Sequence, residues 1–364
     1  MLKSFKVSGF ASISKSIFIN FMAKKHQKIN GTIHEDNYFE NKIAKSVVLF
    51  GGNATGKTNI LKAIHKIYDI IKNGLNLNNA NDIKNIEKYE VEFLIDKSIY
   101  SYILEFSSEK LIYEKLSKNS EQIYEFQNDK LKFETKKEFE YIFSVVSKDT
   151  ILHKLSDNNI EEIMLLTNEC ANESFWDTIN MFEFIAKYAN QVSFIPFFKF
   201  QQEYFIQHKD MVLEIVKILD NSIDDYDFMP IDNNTYALKI RRNSQLFSLE
   251  KESSGIMKIF NIVMGLLLNL ETSIMLIDEL DSSISTNSLI RLLNGFINSS
   301  INTTAQFIVT SHNPLIFDTN MLSPTQIYIV GKEDCKTTIK CLDEFELRND
   351  KRKAYLNYLR GDYE

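Results

Sequence analysis

Short runs in which apolar and polar residues alternate open the chain. "FKVSGF", "IFINF" and "SVVLF" are short apolar stretches set between polar ones and predict strands within the first 50 residues. "VVLF" runs straight into glycines. Beyond them Ile60, Leu61, Ile64, Ile67, Tyr68 and Ile71 recur at helical spacing. Residues 89–116, "YEVEFLIDKSIYSYILEFSSEKLIYEKL", predict an antiparallel meander with polar turns at Asp96-Lys97 and Ser107-Ser108. From Lys136 to Asn221 the period is mostly helical ("EEIMLLTNEC", "FWDTINMFEFIAKYA", "DMVLEIVKIL"), with "VSFIPF" as a short strand between. Strand patterns return at "TYALKIRR" and "QLFSLE". They continue at "IMLID", "QFIVTS" and "QIYIVG", with helices between the first two of these three.

The expected class is therefore α/β: one fold in two sequence-separated halves. Residues 1–135 would form the first half, with its antiparallel β meander. Residues 136–230 would be a mainly helical insertion, and residues 231–364 the second half.

Composition narrows this picture. The 364 residues are 44% hydrophobic and 25% charged, which suits a globular chain with a sizeable core. Three cysteines without CxxC spacing point to a reducing, cytoplasmic setting. No secretory signal is legible, and the apolar run "FNIVMGLLLNL" is too short to span a bilayer. A net charge of −7 argues against whole-surface attraction to nucleic acid. Residues 1–34 nevertheless carry six lysines and no acidic residue. A lysine-guarded strand edge is the preferred account, with a nucleic-acid face as the alternative. Arginine is absent before Arg241, so bidentate reading of guanine by arginine is excluded over that stretch.

Four stretches carry chemistry. Gly51-Gly52-Asn53-Ala54-Thr55-Gly56-Lys57-Thr58-Asn59 fits the phosphate-loop pattern between a strand and a helix. Its backbone N–H groups would turn toward phosphate oxygens, with Lys57 reaching the β- and γ-phosphates of ATP and Thr58 ligating Mg²⁺. "SIMLIDELD" reads as a strand buried on both faces that delivers Asp278 to the metal and Glu279 to the attacking water. A plain surface turn is the competing account. "FIVTSHNP" brings Thr310, Ser311 and His312 to the same edge, with His312 a γ-phosphate contact rather than a structural histidine. "ESSGIMKIF" places Ser253 and Gly255 at a helix start, as a phosphate contact or simply an N-cap.

The order of these four stretches resembles that of ABC-type ATPases. More closely, the chain is similar to the RecF/SMC-like branch labelled "AAA family ATPase" in bacterial phage-defence and abortive-infection systems, of the RloA, AbiLii and PARIS AriA kind. The resemblance rests on "MLKSFKVSGFASI" against "hhxFxVxNFRSF" and "GGNATGKTNILKAI" against "GxNxxGKTNhhKAI". It extends through "ESSGIMKIF", "LDSSIST", "TSHNPLIF" and the closing "KAYLNYLRGDYE". Ala11, Ile256 and Ser285 depart from the usual Arg, Thr and His. The resemblance implies a homodimer or higher oligomer sharing ATP sites, with Ser253 and Gly255 of one subunit facing the phosphate loop of another. It also implies a separate effector, a nuclease or toxin, that the ATPase senses for and regulates. An SMC/RecF-like DNA-repair ATPase and an ATP-dependent scaffold with little hydrolysis are the alternatives. The long gap between loop and signature fits a transporter subunit poorly. None of the six arginines marks a hexameric remodeller.

Overall fold

The structure is a computed structural model that describes residues 1–24, 35–75, 86–95, 97–108, 110–128, 130–133, 141–142, 150–152, 197–267, 273–282, 284–314, 321–345, 358 and 360–361. In chain order the strands are β1 (Leu2–Ser8), β2 (Ile17–Asn20), β3 (Ser46–Phe50), β4 (Glu87–Ile95), β5 (Ser98–Phe106), β6 (Leu111–Lys118), β7 (Glu121–Gln127), β8 (Lys130–Phe133) and β9 (Tyr141–Ile142). They continue as β10 (Phe197–Phe198), β11 (Asp225–Pro230), β12 (Thr235–Arg242), β13 (Gln245–Ser248), β14 (Ser273–Ile277), β15 (Ala305–Ser311), β16 (Ile327–Glu333) and β17 (Lys336–Cys341). The helices are α1 (Lys57–Asn73), α2 (Lys199–Gln207), α3 (Lys209–Leu219), α4 (Ser254–Leu267) and α5 (Thr286–Leu292), the last running on as a π turn over Leu293–Ile297.

The chain divides into two compact units. The first comprises residues 1–22, 51–189 and 330–340. Its antiparallel sheet of eight strands has the order β2-β1-β4-β5-β6-β7-β8-β9. Strict alternation buries Tyr89, Val91 and Phe93 of β4 and turns Lys88, Glu90 and Glu92 outward. Ile60, Leu61, Ile64, Ile67, Tyr68 and Ile71 are all buried, and Tyr68 meets Phe93 edge-on at 5.8 Å, so α1 packs its apolar stripe on β4. The meander is longer than its sequence pattern, because β7, β8 and β9 continue it. Tyr141 and Ile142 therefore form a strand inside the stretch expected to be helical.

Buried Glu114 closes this sheet. Its carboxylate accepts from the Tyr102 hydroxyl at 3.0 Å and the Tyr124 hydroxyl at 2.7 Å. It also accepts from the backbone N–H groups of Ile151 at 2.6 Å and Leu152 at 2.9 Å. Two of the opening lysines, Lys3 and Lys6, do not guard an edge. They lie on β1, inside the sheet, and pair with Glu92 and Glu90 at 3.1 Å.

The second unit comprises residues 23–50, 190–329 and 341–364. Its parallel strands have the order β14-β15-β3-β16. All of β15 and β3 is buried, which is why Phe307 to Val309 and Val47 to Phe50 read as apolar runs without alternation. β14 corrects an expectation: it is the edge strand, with Ile274 buried but Met275, Leu276 and Ile277 partly exposed, because β15 flanks it on one side alone. β10, β11, β12 and β13 make a small antiparallel sheet. Phe205 of α2 stacks on Phe260 of α4 at 6.3 Å and meets Tyr226 of β11 edge-on at 5.7 Å. α3 matches "DMVLEIVKIL". The runs "EEIMLLTNEC" and "FWDTINMFEFIAKYA" lie outside the described residues, as does most of "VSFIPF", whose Phe197 is in β10.

Candidate functional site

Parallel pairing sets which chain ends meet. Ser311 pairs with Phe50 and Ile277 with Val309, so β3, β14 and β15 finish at one edge of the sheet of the second unit. In open α/β sheets that edge is where ligands bind. Phe50 is followed covalently by Gly51, and Ile277 by Asp278.

The loop itself belongs to the first unit. Ala54 has φ 61° and Gly56 φ 109°, both left-handed, a cost that glycine does not incur at the second. Gly56 is the N-cap of α1, no side chain caps that end, and its first turn carries no acidic residue. The helix N-terminus thus keeps its positive end for an anion. Gly52, Asn53, Ala54 and Thr58 are exposed, whereas Gly51 and Lys57 are buried. The Lys57 ammonium folds over its own loop and donates to the carbonyl oxygens of Gly51 at 2.9 Å and Gly52 at 2.8 Å. A cation held by two carbonyls is ready to exchange them for phosphate oxygens, which are stronger acceptors.

In the second unit a hydroxyl joins the acidic pair. Buried Thr310 donates to Asp278 Oδ1 at 2.5 Å and accepts the Glu279 N–H at 2.7 Å, and its carbonyl accepts from Leu280 at 2.9 Å. Glu279 is exposed and has φ 48°, unusual for a residue with a Cβ. Its carbonyl takes the Ser282 N–H at 2.9 Å and a bond from the Lys258 ammonium of α4. Lys258 also donates to Ser282 Oγ at 2.9 Å. Burial pushes the Lys258 pKa down, against the opposing pull of Asp281, Glu279 and Asp278. The His312 N–H donates to Asp281 Oδ2 at 3.1 Å.

Asp278 and Glu279 therefore belong to one hydrogen-bonded cluster, assembled by Thr310 and Lys258, while His312 is bonded to Asp281, whose charge acts on Lys258. Ser253 and Ser254 are exposed at the start of α4, but Gly255 is buried. Ser253 Oγ accepts the Ile256 N–H at 3.3 Å, which is the N-cap arrangement. Asp281 and Lys258 were not candidates from sequence, although Lys258 sits inside "ESSGIMKIF". Among the described residues no group of His, Cys, Asp and Glu forms a ready-made metal cage, and no helix is long and apolar enough to cross a membrane.

The family described as "AAA domain, putative AbiEii toxin, Type IV TA system" matches residues 46–318. Among solved structures, the chain resembles the Smc head domain with a coiled coil and joint derived from Pyrococcus yayanosii. Identity there is 9%, the TM-score 0.52, and coverage 100% of this chain and 99% of that one. The SMC head domain from Thermotoga maritima is 15% identical over 93% of this chain and 98% of that one, with a TM-score of 0.46. The SmcHead bound to the C-winged helix domain of ScpA is 13% identical over 93% and 96%, with a TM-score of 0.49. Likeness at such identity is a likeness of fold. No curated protein matches the chain.

Proposed function

The chain belongs to that AAA-domain family, and from this premise we propose that it is an ABC-type ATPase that binds and hydrolyses Mg·ATP, dimerises around it, and regulates a separate effector in anti-phage defence. The observation that carries the reading is the uncapped N-terminus of α1 behind a left-handed Gly56, with Lys57 turned onto the loop carbonyls.

The donor chemistry fits the nucleotide and its metal. Gly51 to Asn59 offer backbone N–H groups and one ammonium to phosphate. Thr58 and Asp278 are oxygen donors of the kind a hard divalent cation takes, and the metal's contribution is to neutralise phosphate charge. Glu279 is the base that orients and deprotonates water, with its backbone fixed by Thr310 and Lys258. His312 contacts the γ-phosphate, and Ser253 and Gly255 serve the site of a second subunit.

The same reading gives the effector role to another polypeptide, because the chain shows no second catalytic motif such as HExxH or GxSxG. A dimer with open and closed states can switch a partner that binds one of them. Lys57→Ala in a folded protein is expected to abolish Mg·ATP binding, and unchanged affinity overturns the nucleotide reading. Co-expression with the neighbouring gene in a phage-challenged host tests the rest. Protection that needs both genes and is lost with Lys57→Ala supports a regulator, whereas toxicity from this chain alone shows that it carries the effector activity itself.

A further inference from the structure

The phosphate loop rests on a pair of hydroxyls that the proposed chemistry does not use. Thr337 of β17, buried, donates its hydroxyl hydrogen to the Thr55 carbonyl at 3.0 Å. That hydrogen being committed, the 2.7 Å separation of Thr337 Oγ1 and Ser12 Oγ has Ser12 as its donor. Ser12 Oγ in turn accepts from Asn59 Nδ2 at 2.8 Å, and the Thr337 N–H donates to the Ser12 carbonyl at 2.9 Å. The bonds run one way, from the first turn of α1 through the loop after β1 and through β17, and back to the loop. All of these residues lie in the first unit.

The loop is also pressed against the β16–β17 hairpin at both ends. A Cβ on Gly56 would lie 2.0 Å from Thr337 Oγ1, and one on Gly51 would lie 2.2 Å from the Val330 carbonyl oxygen. Between them Lys332 Nζ reaches the Ala54 carbonyl at 3.2 Å. Held against one hairpin at Gly51, Ala54 and Gly56, the loop has little freedom to turn its intervening N–H groups. Their direction is what a phosphate-binding loop needs, since its donors are backbone groups that cannot rotate independently.

We propose that Thr337 and Ser12 are positioning residues for the phosphate loop, acting through Thr55 and Asn59 to hold it in the shape that receives phosphate. The inference rests on the nucleotide reading above; Thr337 lies in none of the motifs, and Ser12 stands at the serine of the opening stretch. Both act through the loop that binds phosphate and not through the proposed base, so their removal should weaken binding more than turnover.

The test is Mg·ATP affinity and the split of KM against kcat in Thr337→Val, Thr337→Ser and Ser12→Ala, beside the wild type. Valine keeps the shape of threonine without its hydroxyl, leaving Thr55 and Ser12 short of a partner. We expect the dissociation constant and KM to rise about tenfold, with kcat within about twofold. Serine keeps the hydroxyl and should stay near the wild type. Ser12→Ala breaks the same chain from a half-buried position and carries the test should Thr337→Val fail to fold. The double variant should lose less than the product of the two single losses. Wild-type affinity in folded Thr337→Val, or equal weakness in the valine and serine variants, overturns the positioning role alone. A wild-type protein that binds no Mg·ATP overturns the nucleotide reading and this inference with it.

Discussion

The Thr310 hydroxyl stands between Asp278 and Glu279, donating to the carboxylate of the first at 2.5 Å and accepting the N–H of the second at 2.7 Å. One buried side chain thus sets the carboxylate proposed for the metal and the backbone of the proposed base. A hydrogen bond to a charged group contributes about 1.5–3 kcal/mol. Thr310→Val is therefore expected to lower ATP turnover by about tenfold to a hundredfold and to raise the Mg²⁺ concentration for half-maximal rate. Thr310→Ser should restore most of both. A magnesium titration of the two variants checks this, and an unchanged midpoint in the valine variant counts against it.

Glu279→Gln separates binding from hydrolysis. The amide keeps the size of the side chain but cannot accept a proton, so turnover should fall by about two orders of magnitude while ATP affinity stays within about twofold. Parental hydrolysis in that variant removes Glu279 from the base role.

Lys258 links α4 to the same residue. It donates to the carbonyl of Glu279, whose φ of 48° is held from both sides of the peptide. Lys258→Met keeps the apolar stem and removes the donor. The expected outcome is a roughly tenfold lower kcat with little change in nucleotide affinity. Loss of affinity with unchanged kcat would show that the lysine serves binding instead.

Shared sites predict complementation. Lys57→Ala and Ser253→Arg subunits should each be inactive alone. Mixed, they should regain activity, because a heterodimer gathers both lesions into one site and leaves the other whole. Proven heterodimers without recovery would rule out sites shared in this way.

Glu114 makes stability depend on pH. Burial raises its pKa, against the lowering effect of four donors, so the folded state holds a proton that the unfolded chain has already released. Stability from this group is largest below the unfolded value and declines as pH rises through the window up to the raised folded value. Glu114→Gln has no such proton. Urea unfolding between about pH 4 and 7 should show the wild type losing stability relative to the glutamine variant as pH rises. A pH-independent difference would show that Glu114 does not change protonation on unfolding.

What the sequence determined is local. The strand, glycine loop and helix around Gly51 to Asn59 follow from a short apolar run, a phosphate-loop spacing and a helical stripe, all set by neighbours within a few residues. The same holds for the meander from β4 to β6 and for the apolar stripe of α1. What the tertiary structure decided is longer in range. It put β14 at the edge of its sheet, paired Lys3 and Lys6 with glutamates 89 and 84 residues away, and chose Thr310 to hold Asp278 and Glu279. It also brought Thr337 to Ser12 across 325 residues. Periodicity reports which face of an element is buried but not which element covers it. A hydroxyl among the many serines and threonines of the chain has no local mark of its partner until strand order and register bring the two together.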